Sequence, residues 1–364
     1  MRIVLLSGGV GGARCARALD AWRRTADPSL RLTAIVNVGD DFTHLGVRIS
    51  PDIDSVTYHL GDLGDTERGW GRAGDSARIA KQIEHHLPDT AWFHLGDLDL
   101  GHSLIRTELL ASGMPLSRVT QRFLDDFGIS ARVLPVTDDD SPTIVRVPNG
   151  PLSFQEWWVR LRAEPVPERF EYPRAAAAQP APGVIAAIEE ADLVVVAPSN
   201  PIVSITPIFE VPGVREAVAG ARAPVVGVSP IIGGRPVRGW ADRCLAAAGV
   251  ECSALGVRDF YGSRGAGGLL DGWLVDPVDD LGREADGRGG RGGSGEHSEP
   301  GGSGEPGSER TIVTRSVPLR FTGGREDARI VEALLALASS SVRNTEPHDD
   351  AKVNRRLDLP HFGI

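Results

Sequence analysis

No two cysteines in this chain stand in the C-x-x-C spacing of a metal or redox motif, and there are only three: Cys15, Cys244 and Cys252. That argues against a disulfide-stapled scaffold and a thiolate metal centre, and a reducing compartment is expected. Positive charge is also short. Thirty-nine Lys and Arg face 49 Asp and Glu, for a formal net charge of −10. A protein that grips nucleic acid broadly needs a basic face to displace counterions, so no nucleic-acid partner is expected, although a nucleotide in a local pocket stays open. No stretch reaches the roughly 18 apolar residues of a membrane helix. The first apolar run, residues 3–6, is too short for a signal-peptide core and leads straight into glycines. A cytoplasmic protein with no membrane partner is the expectation. G-x-S-x-G is missing, and no cysteine sits in a recognisable catalytic context, so a covalent enzyme intermediate is not expected.

What the chain does have is 41% apolar residues, enough for a sizeable core. Much of this lies in short runs that end in turn residues: "RIVLLSGG", "LTAIVNVGDD", "TAWFHLGDLD", "ARVLPVTDDD", "ADLVVVAPSNP" and "APVVGVSPIIGG". Continuous apolar runs of this length read as strands buried on both faces. Helix-like segments lie between them at 12–24, 74–86, 116–127, 183–190 and 240–248. The expected fold is therefore α/β: a doubly wound, mostly parallel sheet with helices on both faces, Rossmann-like in type. Residues 141–182 break the alternation. "TIVRV" and "LSF" read as a hairpin around Pro148-Asn149-Gly150, followed by an aromatic-rich helix, and suggest a small inserted subdomain. Residues 283–309 are Gly/Ser/Glu-rich and are expected to be a disordered loop. A strand and a helix resume over 310–340. One α/β domain is thus expected over 1–282 and 310–340, with a frayed tail at 341–364.

In an open parallel sheet, ligands bind at the carboxyl ends of the strands. The informative stretches lie there. Gly8, Gly9, Gly11 and Gly12 stand between the first strand and a helix. They suit either a tight turn or a phosphate cradle at a helix N-terminus, and the cradle is favoured. The spacing is neither G-x-G-x-x-G, since Arg14 takes the third glycine's place, nor a Walker loop. Asn37 occupies the place of a ribose-binding acid. Asp40, Asp41, Asp52 and Asp54 follow the second run; beside a phosphate cradle they suit Mg²⁺, and otherwise they are turn and cap residues. Asp97 and Asp99 are open to three roles: ligand, helix cap, or partner of a substrate hydroxyl. His102 and Arg106 fall one turn apart, and His94 reads as an interior strand residue. Ser199, Asn200, Ser229 and Gly233 sit at the two late strand ends, where neutral groups read a base or ribose and glycines meet phosphate. Of Trp157 and Trp158, one is expected to be core.

Taken in order, "SGGVGGAR", "VNVGDD", "ISPDIDSVTYHLGD", "RGWG", "GDLDLGHSLIR", "LPVTDDDSPTIV", "FQEWWVR", "APSNPIVSI" and "VVGVSPIIGG" resemble the 2-phospho-L-lactate transferases of coenzyme F-420 biosynthesis, most of all their actinobacterial phosphoenolpyruvate transferase branch. The resemblance spans residues 1 to about 275. It implies transfer of a phosphoenolpyruvyl or 2-phospholactyl moiety from a guanosine-diphosphate-linked donor to the deazaflavin Fo, with release of GMP. Mg²⁺ and a homodimer are implied too. It further implies that Gly8, Gly9, Gly11 and Gly12 hold the donor's phosphates. Asp41 and Asp54 would be the metal and catalytic carboxylates, with Asp54 contacting Fo. Asp97 would be substrate-binding, and Ser199, Asn200, Ser229 and Gly233 would hold the nucleotide. Trp157 and Trp158 would border the deazaflavin.

One departure stands out: the family usually reads G-D-[RK]-D-L-A-T-H where this chain has Leu98 between Asp97 and Asp99. Two rivals are weaker. UDP-sugar-binding regulators of the gluconeogenesis-factor type share the glycine loop and Asp-Asp turn, but usually continue "DDGGSSGRLR" rather than "DDFTHLGVRISPDIDS". A nicotinamide oxidoreductase lacks support in the broken glycine fingerprint.

Overall fold

The computed structural model describes residues 1–65, 70–279 and 312–343. Seven strands form the main sheet: β1 (Arg2–Ser7), β2 (Arg31–Val36), β3 (Arg132–Pro135), β4 (Leu193–Val196), β5 (Val225–Val228), β6 (Gly272–Val275) and β7 (Val313–Ser316). Their spatial order is β7-β6-β5-β4-β1-β2-β3, and every neighbouring pair is parallel. β4, β5 and β6 are buried at every position, which is why their sequences run apolar without alternation. This is the expected doubly wound α/β fold. Winding starts at β1 and goes outward in both directions, so the order reverses between β1 and β4. Loops on either side of that point leave in opposite directions, and a crevice opens at the carboxyl ends.

Five helices lie in the chain between β1 and β3: α1 (Gly9–Thr25), α2 (Pro51–Leu60), α3 (Arg78–His86), α4 (Asp97–Ala111) and α5 (Leu116–Asp126). α2 opens with Ser50 at its N-cap position, Pro51 in its first turn, and Asp52 and Asp54 facing the positive end of the helix dipole. Of the four acids that follow the second apolar run, Asp52 and Asp54 thus stand in a helix start.

The run "TAWFHLGDLD" is not a strand. Trp92 and Phe93 pack with Phe42 of a short antiparallel hairpin, Phe42–His44 with Val47–Ile49, and α4 starts at Asp97. The apolar run is used up in that aromatic cluster, and His94 is exposed rather than interior.

In the 141–182 segment, Ile144–Val147 pairs antiparallel with both Gly150–Ser153 and Arg169–Glu171. The aromatic-rich helix is a single π turn, Glu156–Arg160. Trp157 is the core tryptophan: it is fully buried and its Nε1 donates to the Pro165 carbonyl at 2.8 Å. Val145, Phe154 and Trp157 belong to the same core as the main sheet. The last helix, Gly324–Arg343, runs past the boundary expected at 340. The 283–309 loop and the tail beyond Arg343 lie outside the described residues. Among the described residues, no helix is long and apolar enough to cross a membrane.

Candidate active site

β1 delivers its chain into the crevice at Ser7 and α1 carries it away, so the glycine loop lies between the ends of β1 and β4. The need for glycine differs from position to position. A Cβ on Gly8 would lie 2.7 Å from both an Asp52 carboxylate oxygen and the Ser204 Cβ. On Gly11 it would lie 2.2 Å from the Pro198 carbonyl oxygen, and on Gly12 2.2 Å from the Ser7 hydroxyl. Among the four, Gly9 alone has a positive φ, 62°, and a Cβ there would meet only the Ser204 hydroxyl, at an ordinary contact distance of 3.8 Å. Three of the four glycines are therefore explained by protein packed against them. We expect Gly11→Ala to cost about 2–3 kcal/mol, because the obstructing atom is backbone. A shift of the urea midpoint measures this; an unchanged midpoint contradicts it.

Ser199 ties the two loops together. Its hydroxyl donates to the Gly8 carbonyl at 2.6 Å and lies 3.3 Å from the Gly8 amide. Asn200 caps the next turn, its Oδ1 accepting from the Ile202 and Val203 amides. Ser229 is buried and holds its own turn through Ile231, and Gly233 is exposed, its amide donating to Asp279.

The acids divide into two sets. In the first, the Asn37 side-chain amide donates to Asp40 and to Asp52, both at 2.9 Å. Burial, then the charge of Asp52, pushes the Asp40 carboxyl well above the usual range, against the pull of Asn37. Burial pushes Asp52 up to about 6, with Asn37 and the Gly9 amide restraining the rise. Of this pair, Asp52 borders the glycine loop and Asp40 is joined to it through Asn37. In the second set, Asp54 lies two residues on, about 200° round the helix. Both of its oxygens take the Arg106 guanidinium, and His102 Nε2 stands 3.3 Å away. Burial pushes its carboxyl up, but Arg106 and His102 outweigh that and hold it low. Asp41 accepts from the Ser50 hydroxyl at 2.6 Å, and its Oδ1 is buried with no hydrogen-bond partner. Burial pushes it up to about 7 despite Arg48 and Ser50.

The sequence-derived residues thus come together only in part. Gly8, Gly9, Gly11, Gly12 and Ser199 converge on the crevice. Asp54 faces α4 instead, in a buried ion pair. Asp97 is held at the start of α3, accepting from the Ser76 hydroxyl and the Ile79 amide. Leu98 is 47% exposed, and its backbone amide donates to Asp75. Trp158 packs against Gly239. Asp40 and Asp52, weighed from the sequence as Mg²⁺ carboxylates or as turn and cap residues, are joined here through Asn37; reading "SPDIDSVTYHL" as a helix puts Asp52 and Asp54 on different faces.

For a divalent cation, the donor chemistry fits best at Asp40 and Asp52, two buried carboxylates joined through Asn37, the second of them bordering the loop, with the orphaned Asp41 oxygen next in chain order. Asp54 fits poorly, since its oxygens are already taken. Among the described residues there is no group of three or more His, Cys, Asp or Glu placed to hold a metal by themselves. Any such ion would need oxygens from a ligand.

The family described as 2-phospho-L-lactate transferase CofD matches residues 3–286. A phosphoenolpyruvate transferase from Streptomyces coelicolor is 47% identical over 77% of this chain and 86% of its own length. Those from Nocardia farcinica and Mycolicibacterium smegmatis are 43% and 40% identical, over 93% and 94% of this chain and 95% and 100% of their own. Among solved structures, a Bacillus halodurans protein is similar at 20% identity and a TM-score of 0.48, over 75% of this chain and 79% of its own. The chain belongs to the 2-phospho-L-lactate transferase family, and it is a transferase of a phosphoenolpyruvyl or phospholactyl moiety in coenzyme F-420 biosynthesis.

Proposed function

We propose that the crevice between β1 and β4 holds the diphosphate of a guanosine-linked phosphoenolpyruvyl or phospholactyl donor, and that the acceptor is Fo. The terminal ribityl hydroxyl of Fo attacks the phosphorus that bears the acid. A new phosphorus–oxygen bond forms, the diphosphate bridge breaks, GMP leaves with the bridging electron pair, and the hydroxyl proton passes to solvent.

The observation that carries this reading is the meeting of Asp52 with the glycine loop. The N-terminus of α1 attracts anions through its amides, yet a buried carboxylate borders it. A phosphate there would meet like charge unless a cation came with it. Mg²⁺, bound by Asp40 and Asp52, would neutralise charge on the donor phosphates. The chain's own residues then position the reactants. Ser199 fixes the loop, the Gly9 region gives phosphate close access to backbone, and the buried Asp54–Arg106 pair holds α2 against α4. The test is turnover: Fo and each donor are incubated with the purified chain and the product is weighed. Product heavier by the phosphorylated acid, with equal GMP, supports the reading; no product from either donor contradicts it.

The enzyme is proposed to act in the cytoplasm as a homodimer. Support for the second copy comes from α3, which buries none of its nine residues. So short a helix does not hold itself in water. Leu45 and Leu104 line a hollow with its Ala80 and Ile83, and both are exposed, as are Ile79 and Leu87. Sedimentation should show a dimer that Leu104→Glu splits; a parent monomer at assay concentrations contradicts this.

A further inference from the structure

The inserted segment over 141–182 takes no part in the reaction as described so far, yet it reaches the strand-end loops at three points. The Thr143 amide donates to the Gly39 carbonyl at 2.8 Å, Gln155 Nε2 donates to the Asp40 carbonyl at 3.4 Å, and the Tyr172 hydroxyl donates to the Ile202 carbonyl at 2.6 Å. The first two hold the loop after β2. The third is the shortest. Tyr172 is half-buried, just past the strand Arg169–Glu171, and its target is a carbonyl that the local sequence leaves without an amide.

Ile202 lies in a π turn, Pro201–Ile205, that follows β4 and buries all five of its residues. In a π turn each carbonyl meets the amide five residues on, and the Thr206 amide bonds back to the Pro201 carbonyl in that way. In the same register Ile202 would meet residue 207. That residue is a proline and has no N–H. In the tighter α register Val203 would meet the same proline. A buried carbonyl left without a donor is costly. Two side chains from outside the turn supply what Pro207 lacks. Tyr172 takes the Ile202 carbonyl, and the Asn37 amide reaches the Val203 carbonyl at 3.3 Å.

The turn so held forms one wall of the crevice. Its Ser204 packs on the glycine loop: a Cβ on Gly8 would lie 2.7 Å from the Ser204 Cβ and 3.1 Å from the Ser204 carbonyl oxygen. Its Val203 is tied through Asn37 to Asp40 and Asp52. A turn whose own ladder is interrupted by proline takes its position from the groups that complete it. We propose that Tyr172 is a positioning residue for the transfer reaction: by holding the Ile202 carbonyl it fixes the turn that seats the glycine loop and the Asn37 amide. It acts through the turn rather than on a substrate. This rests on the crevice reading above.

The test removes one oxygen. Tyr172→Phe, assayed well below its melting temperature, is expected to lower kcat about tenfold or more, as misplaced reactants do. KM for Fo and for the donor should stay within about twofold of the parent. Without ligand, hydrogen exchange should quicken in peptides covering 201–205. A rescue checks the route: Pro207→Ala gives residue 207 an amide for the Ile202 carbonyl. In that background Tyr172→Phe should cost less than about threefold in kcat. A lower melting point with parent-like kcat, the mark of a purely structural tyrosine, overturns the proposal. Unchanged exchange over 201–205 overturns it too, as does the same loss of kcat in both backgrounds. If GDP with Mg²⁺ protects neither 7–14 nor 197–205 in the parent, while Tyr172→Phe still loosens the turn and lowers kcat, the positioning role stands and the crevice reading falls.

Discussion

Asp54→Ala is expected to destabilise the chain by roughly 3–5 kcal/mol, the cost of leaving a buried charge without its partner. Arg106 is 1% exposed, and its guanidinium spans both Asp54 oxygens. It lies over the Phe123 ring, 5.9 Å from the centroid. A domain has about 5–15 kcal/mol in total, so the variant would sit near its folding threshold. Loss of turnover in Asp54→Ala would then say nothing about chemistry. The double variant Asp54→Ala, Arg106→Met removes both charges and should recover much of the loss, because replacing a buried ion pair by apolar groups is close to neutral. Urea midpoints of the parent, the single and the double variant decide this. A single-variant loss below about 1 kcal/mol, or no recovery in the double, would contradict the structural role.

Asp52→Asn is expected to behave in the opposite way. Transfer should fall about a hundredfold or more, the scale seen when a group that organises charge at a reacting centre is removed. The fold should not suffer. The folded value of Asp52, about 6, lies above the ordinary 3.8. A raised carboxyl contributes stability below pH 4 that is lost as pH rises through 6. At neutral pH the carboxylate is therefore a cost, and the amide removes it while still accepting from Asn37. With a chelator present, Asp52→Asn should melt at or above the parent at pH 7.5. Parent-like turnover would remove Asp52 from the site; a lower melting point would show that its charge holds the loop together.

These two residues also show what the sequence revealed. The parallel sheet was legible because β1, β2, β4 and β5 are short apolar runs closed by turn residues, a pattern that only burial on both faces explains. The crevice followed from where those runs end. Side-chain direction was another matter. Asp52 and Asp54 look like one loop cluster when α2 goes unrecognised. With Pro51 read as a helix start they part, one toward the glycines and one toward Arg106. "TAWFHLGDLD" misled for a related reason: its apolarity serves a local aromatic cluster, and periodicity cannot tell that from a buried strand. β6 escaped because its four residues include Gly272 and follow a glycine-rich stretch. The glycines do follow the carboxyl end of β1, but the reason for three of them lies in Asp52, Ser204, Pro198 and Ser7, which come together only in the fold.

The central claim is that the donor nucleotide occupies the crevice between β1 and β4. Hydrogen exchange with and without GDP and Mg²⁺ tests it most directly. The account predicts slowed exchange in peptides covering residues 7–14 and 197–205, with little change in α3 and α4. Protection at 78–111 or 144–171, and none at 7–14, would contradict it.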